Sequence, residues 1–301
     1  MNPATPEVFT SWKHSRPSEK LVVFSIALFS CLIIVDYFLH KNKSIYLVPL
    51  SLLIILLFVL IPYWRKKFSE RPLALFVLSA LPLAGYAYLY KLAGSLVHLL
   101  SHSWNDELLA SLDRAIFGLS PNLAISDYYH PWLTELMMFA YVAYLPLLII
   151  VAYVFFRNKD EEQLETYVFT LGIAYVVCFL LFIFIPAASP RFYFSKNQPA
   201  AGFFFRKLMN LVEASGQYQG GSFPSAHCAA GTVMVIYAWR AGRKTFVLVS
   251  PLILLFFIST VYGQYHYAVD VLAGIIIGLL ATLMARLILS KRAKSHFSLE
   301  R

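Results

Sequence analysis

A series of apolar runs, each about as long as a bilayer is thick, constrains this chain more than any other feature. A helix needs about 20 predominantly apolar residues to cross the hydrocarbon core. Eight segments read as spans: 21–40, 45–63, 73–90, 134–156, 167–186, 225–240, 246–262 and 269–289. The third has an apolar continuation past Lys91 to about Leu100. The sixth is the shortest and carries Ala229, Ala230 and Gly231. The first follows Lys13, Arg16 and Lys20 as a signal sequence would. No small-residue cleavage site comes after it, so it reads as a retained helix. Of the 301 residues, 59% are hydrophobic and 14% charged, against roughly 45–50% apolar and about 25% charged in soluble domains. The balance excludes a soluble globular protein, a disordered chain and a disulfide scaffold. The expected fold is all-α: a polytopic membrane helical bundle of about eight transmembrane helices. Cys31, Cys178 and Cys228 fall in or beside apolar runs and match no zinc pattern, so neither a disulfide framework nor a cysteine metal site is expected.

The net charge of +9 reads first as topology, not as nucleic-acid binding. With the N-terminus inside, the inner segments hold Lys13, Arg16, Lys20, Arg65, Lys66, Lys67, Arg71, Arg157, Lys159, Arg240, Arg243, Lys244, Lys291, Arg292, Lys294 and Arg301. Fewer basic residues fall outside, which places both termini in the cytoplasm. The segment 187–224 is the largest outside exception, with Arg191, Lys196, Arg206 and Lys207. The other long outer segment, 92–133, has roughly helical apolar spacing and reads as interfacial helices forming a cap.

Three stretches carry residues suited to chemistry. In Gly220-Gly221-Ser222-Phe223-Pro224-Ser225-Ala226-His227, glycines allow close backbone approach. The proline marks a helix start near 224, whose N–H groups and dipole favour an anion. Ser222 and Ser225 add hydroxyls, and His227 sits in the first turn. An ordinary capped helix with an interfacial histidine is the plain alternative. In the stretch 259–270, His266 and Asp270 are four apart. On one helix face they would hydrogen-bond, and a carboxylate on one imidazole nitrogen makes the other a better nucleophile. An interfacial His–Asp cap is the alternative. In Pro186-Ala187-Ala188-Ser189-Pro190-Arg191, the guanidinium is a fork for phosphate, or simply a snorkelling arginine. The lysine and arginine counts put all three stretches on one membrane face. Two histidines, a carboxylate, an arginine and a glycine-rich helix start suit phosphoryl transfer without a metal: one histidine attacks, and one protonates the leaving oxygen.

These stretches resemble the signature motifs of the type 2 phosphatidic acid phosphatase superfamily. Pro224-Ser225-Ala226-His227 is similar to its Pro-Ser-Gly-His motif. Ser259-Thr260, His266 and Asp270, followed by Val271-Leu272-Ala273-Gly274, are similar to its third motif. The likeness covers about 165–285 and, more loosely, Asp113-Arg114-Ala115-Ile116-Phe117-Gly118. It implies that His266 is the nucleophile forming a phosphohistidine, that Asp270 orients it, and that His227 is the acid for the leaving alcohol. Arg191, Ser225, Ser222 and Gly221, with nearby backbone N–H groups, would bind phosphate. The sequence departs from the pattern where Phe184 replaces a lysine, Thr260 an arginine and Ala226 a glycine. Lys196, Arg206 or Lys207 are candidates to supply the lost charge. The reduced set is similar to the branch containing inositol phosphorylceramide synthases, which transfer a head group between lipids.

The expected organisation is then 1–70, a tail and two extra helices; 71–290, a six-helix phosphatase-like core with the outer cap 92–133; and 291–301, a polar tail. No cofactor is expected. The partners are a membrane lipid substrate and water or a second lipid or alcohol as acceptor, with no nucleic acid; the sequence does not give the oligomeric state. The expected location is a bacterial inner membrane, with the site on its outer face. A vanadate-dependent haloperoxidase and a transporter or haem-binding bundle are the rivals. His98, His102 and His130, with Asp106, Asp113 and Asp127, read as solvated interfacial residues or as contacts to a polar head group.

Overall fold

Local chemistry sets where the helices begin and end. A computed structural model describes residues 12, 14–195, 198–216 and 219–299, with side chains for all of these except 215, 216 and 291–299. Helix α1 (Pro17–His40) starts on a proline, and the Arg16 N–H donates to the Glu19 carboxylate at 2.9 Å. It stops where Lys41 turns left-handed, φ 59°. The second span contains α2 (Leu47–Val59) and α3 (Ile61–Lys67), broken at Leu60 two residues before Pro62. Helices α4 (Pro72–Ser95), α6 (Pro131–Arg157) and α7 (Glu161–Phe184) follow, with α5 (Asp106–Phe117) lying between α4 and α6. Two of these also open on proline, whose missing N–H costs nothing in a first turn. Helix α7 begins six residues before the apolar run suggested. Its first turn is charged by Glu161 and Glu162, and the Asp160 carboxylate accepts the Gln163 N–H at 3.1 Å. Helices α8 (Phe204–Gly216), α9 (Ala226–Ala241), α10 (Arg243–Tyr262) and α11 (Ala268–Leu299) complete the order.

Seven of the eight expected spans are helices long and apolar enough to cross a membrane. The chain is a polytopic all-α bundle. The exception is α9, with 16 residues. It packs against α6, α7, α10 and α11, so protein rather than lipid surrounds it. Small residues make that possible. A Cβ on Gly274 or Gly278 of α11 would lie 2.5 Å from the carbonyl oxygen of Ser225 or Ala229 on α9. Gly274 and Gly278 are one turn apart and form a smooth face that lets two backbones touch, the usual basis of tight helix association in membranes.

At the end where α1 and α7 begin, polar groups are paired. Glu19 is buried and bonds Arg65. Arg16 reaches Ser79 at 3.0 Å and Glu161 at 2.9 Å. The Ser18 N–H and hydroxyl donate to Glu165 at 2.7 and 2.9 Å. This network ties α1 to α3, α4 and α7. The opposite end, where α4 and α7 finish and α9 and α11 begin, holds the three stretches singled out above.

Candidate functional site

Backbone accounting at the start of α11 explains how Asp270 is placed. Asp270 is the third residue of the helix, and its Oδ2 accepts the Tyr267 N–H at 2.9 Å. That is one arm of a capping box. The next two N–H groups, of Ala268 and Val269, donate to Asp113 at 3.0 and 2.8 Å. The helix starts two residues after His266, so His266 and Asp270 meet across a helix end and not along a helix face. The Nδ1 of His266 lies 2.9 Å from the Ser222 carbonyl and 3.4 Å from Asp270 Oδ2. The carbonyl contact is the closer, and a carbonyl only accepts, so Nδ1 carries the proton and Nε2 the lone pair. Asp270 Oδ2 also accepts the Ser222 hydroxyl at 2.6 Å. Asp270 is fully buried and His266 nearly so.

The Gly-rich stretch begins α9 two residues later than the proline suggested. Ser225 is the N-cap, and its hydroxyl oxygen accepts the Cys228 N–H at 3.2 Å. The Ser225 N–H donates to the Asp270 carbonyl at 3.1 Å, joining the second and third stretches through backbone. Gly220 has φ +112°, and a Cβ there would meet Val97 at 2.2 Å, so only glycine fits. His227 follows in the first turn, its ring 6.3 Å from that of His266 and packed edge-on to Tyr144 at 5.1 Å.

A cavity opens between these elements. It is lined by Gly221, Ser222, His227 and His266, by Ser189 from the first stretch, and by aromatic rings including Tyr141 and Tyr265. Asp270 and Ser225 stand behind that lining. Arg191 lies beside it, between the lining residues Ser189 and Phe192. Its N–H donates to the Gln264 carbonyl at 2.8 Å, and its guanidinium pairs with Glu213 at 3.1 Å. Among the described residues, no three His, Cys, Asp or Glu side chains are arranged to hold a metal ion.

The departures from the expected pattern are visible in space. Phe184 is 64% exposed, so the position of the absent lysine points out of the bundle. Thr260 is buried and bonds its own helix at Phe257 O, 2.7 Å. Of the three basic candidates, Arg206 pairs with Glu213 at 3.1 Å beside Tyr265. Lys207 is exposed, and Lys196 lies outside the described residues.

Two aspartates of the cap are not solvated, contrary to expectation. Asp106 is buried, and its carboxylate accepts the N–H groups of Ala188 and Ser189 at 2.8 and 3.0 Å and the Tyr267 hydroxyl at 2.8 Å. Asp113 is fully buried on the start of α11. Burial pushes its carboxyl up, against the pull of the two N–H donors. One turn-and-turn-again spacing on α5, seven residues, thus lets one face of the helix hold two loops of the site. That spacing was in the sequence, but their partners were backbone groups, which leave no sequence signal. Asn122 was missed for the same reason, and Glu213 because its side-chain partners Arg191 and Tyr265 lie far from it in sequence; Gln264 belongs to the third stretch, but its bonding was not foreseen. The Asn122 amide donates to the His266 carbonyl at 3.1 Å, and the Gln264 amide to the Asn122 carbonyl at 2.8 Å.

A sequence model of the PAP2 superfamily matches residues 107–284, more than half of the chain. The protein belongs to the PAP2 superfamily. The match takes in α5 with Asp113, all three stretches and most of α11, and leaves out α1 to α4. A "PA-phosphatase related-family protein" of Dictyostelium discoideum is 26% identical over 121 residues, 38% of this chain and 22% of that protein. The alignment therefore spans about a fifth of the relative's length. No solved structure is a significant match.

Proposed function

We propose that this PAP2 superfamily member is an integral membrane lipid phosphatase or phosphotransferase that works through a phosphohistidine on His266. The observation that carries the reading is the pair of imidazoles facing one cavity, 6.3 Å between rings, with Nδ1 of His266 held by a carbonyl. The lone pair on Nε2 attacks phosphorus, and the bond to the lipid oxygen breaks. His227 gives its proton to that oxygen. Water or an alcohol then attacks the phosphohistidine, returning a proton to His227 and freeing His266. Asp270 orients His266 together with the Ser222 carbonyl. Arg191, the Gly221–Ser222 backbone and the first turn of α9 at Ser225 hold the phosphate oxygens. The Ser222 hydroxyl is turned to Asp270, so its part is positional.

The low count of cations beside the cavity among the described residues favours a second reading, in which a lipid alcohol replaces water and the enzyme transfers a head group. In either case the cavity faces the outer side and the termini the cytoplasm. The basic residues Arg16 and Arg65 at the other end of the bundle support that orientation. The test is purified protein with a panel of lipid phosphates, with and without alcohol acceptors. Free phosphate marks a phosphatase and a new phospholipid a transferase. Substrate carrying labelled phosphorus should label the wild-type chain and not His266→Ala. Full turnover by both His266→Ala and His227→Ala on every lipid cleaved by the wild type would refute the site. Loss of activity to a chelator, restored by a divalent ion, would refute the metal-free route.

A further inference from the structure

One carboxylate pairs with two cations next to the cavity, behind the lining residue Tyr265. Glu213 of α8 has a side chain only 6% exposed. Its Oε2 pairs with Arg191 and its Oε1 with Arg206, both at 3.1 Å. The Tyr265 hydroxyl donates to Oε1 at 2.6 Å, and Arg206 reaches that hydroxyl at 3.4 Å. Tyr265 packs on Tyr141 with ring centroids 4.6 Å apart, and both rings line the cavity with His227 and His266. Burial and the Glu213 charge push the Tyr265 hydroxyl well up, so it remains a donor. The start of α8 is anchored as well. Glu135 of α6 accepts the N–H groups of Phe203, Phe205 and Arg206 at 2.6 to 2.9 Å. Glu213 is therefore a built-in counter-ion on a tethered helix.

We propose that Glu213 is a specificity-determining residue that sets the charge of phosphate this site accepts. Among the described residues on this side of the cavity, Glu213 cancels the charge of one of the two guanidinium groups, and Asp106 and Asp270 behind the lining add no cation. A phosphodiester brings one negative charge and needs one guanidinium to match it. A monoester brings close to two at pH 7 and above, and its second charge enters a half-buried site without a partner, which is costly. The site thus prefers a singly charged lipid phosphodiester to a doubly charged monoester. The inference rests on the reading of the cavity as a phosphate site, and its test is made on binding so that the two can fail separately.

The probes are methyl phosphate and dimethyl phosphate at pH 8, where the first is doubly charged and the second singly. The readout is thermal stabilisation of the purified full chain in detergent, titrated to an apparent affinity. The wild type is expected to bind dimethyl phosphate the more tightly. Glu213→Gln, with one more net charge, should shift the ratio of affinities toward methyl phosphate by about tenfold. Arg206→Met should weaken both, and Glu213→Gln combined with Arg206→Met should restore the wild-type ratio. That double change removes one charge of each sign, keeps the wild-type net charge, and serves if the single variant does not fold. An unchanged ratio in Glu213→Gln, a double variant that keeps the shifted ratio, or a wild type stabilised by neither probe would overturn the proposal. Probe binding as expected, with no lipid in the panel cleaved, would sink the phosphohistidine reading and leave the role of Glu213 standing.

Discussion

Replacing Gly274 by alanine is expected to damage turnover more than stability. A Cβ at this position would lie 2.5 Å from the Ser225 carbonyl oxygen, 3.0 Å from Cys228 Cβ and 3.1 Å from the Ala229 nitrogen. Two of those atoms are backbone and cannot swing aside. Restoring an ordinary contact of 3.4 Å means opening α9 from α11 by about 0.9 Å. Overpacking of this kind costs about 1–3 kcal/mol, and alanine returns about 1 kcal/mol in helix propensity over glycine. The net destabilisation is then about 0–2 kcal/mol. Catalysis has no such offset. Helix α9 carries Ser225 and His227, α11 carries Asp270, and the 3.1 Å bond from Ser225 N–H to Asp270 carbonyl crosses the seam. A displacement of about 1 Å in a catalytic arrangement costs on the order of a hundredfold in rate. The assay is turnover on the best lipid of the panel, alongside thermal unfolding in the same detergent. Leu279→Ala, on the exposed face of α11, is the control and should change neither. Turnover of Gly274→Ala within about twofold of wild type, a barrier change below about 0.5 kcal/mol, would refute the argument that this seam aligns the site. An equal loss in Leu279→Ala would refute it too.

Four further outcomes are expected. Asp113→Ala leaves the first two N–H groups of α11 without acceptors and should lower unfolding stability by about 2–4 kcal/mol, with a matching fall in turnover; Asp113→Asn, which keeps an acceptor oxygen, should lose less. Because the folded carboxyl of Asp113 is raised, its titration favours the fold below the ordinary carboxylate range, and that contribution is lost as pH rises through the raised value; a pH series of unfolding midpoints should show this fall in the wild type and not in Asp113→Asn. Ser189 holds φ 109°, a conformation that strains a side-chain residue by about 1–3 kcal/mol, so Ser189→Gly should keep or raise stability and Ser189→Val should lower it, read by thermal unfolding. At the far end, Glu19→Ala leaves Arg65 half-buried beside Arg16 and should cost about 3 kcal/mol, whereas Glu19→Leu combined with Arg65→Met should recover most of it; equal losses in both would mean that the ion pair is not what holds α1.

The apolar runs by themselves determined that this chain is a helical membrane bundle, and roughly where its spans lie. Hydrocarbon solvates neither charges nor free backbone groups, so long apolar sequence leaves few other folds. The spacing of His266 and Asp270 and the Pro224-Ser225-Ala226-His227 turn likewise pointed to a phosphate site, because helix ends and imidazole–carboxylate pairs are local features. Span ends were less legible. Helix α7 begins in charged residues that pair with Arg16 and Ser18 across the bundle, and α9 is short because other helices enclose it. What only the tertiary structure decided is which distant groups serve the site. Asp106 and Asp113 looked like surface charges until their partners, backbone N–H groups 82 and 155 residues away, came into contact. Glu213 gave no sign of its place between Arg191 and Arg206. A long-range bond to backbone, or a pairing across a loop, is written in no spacing; it exists only once packing has brought the two ends together.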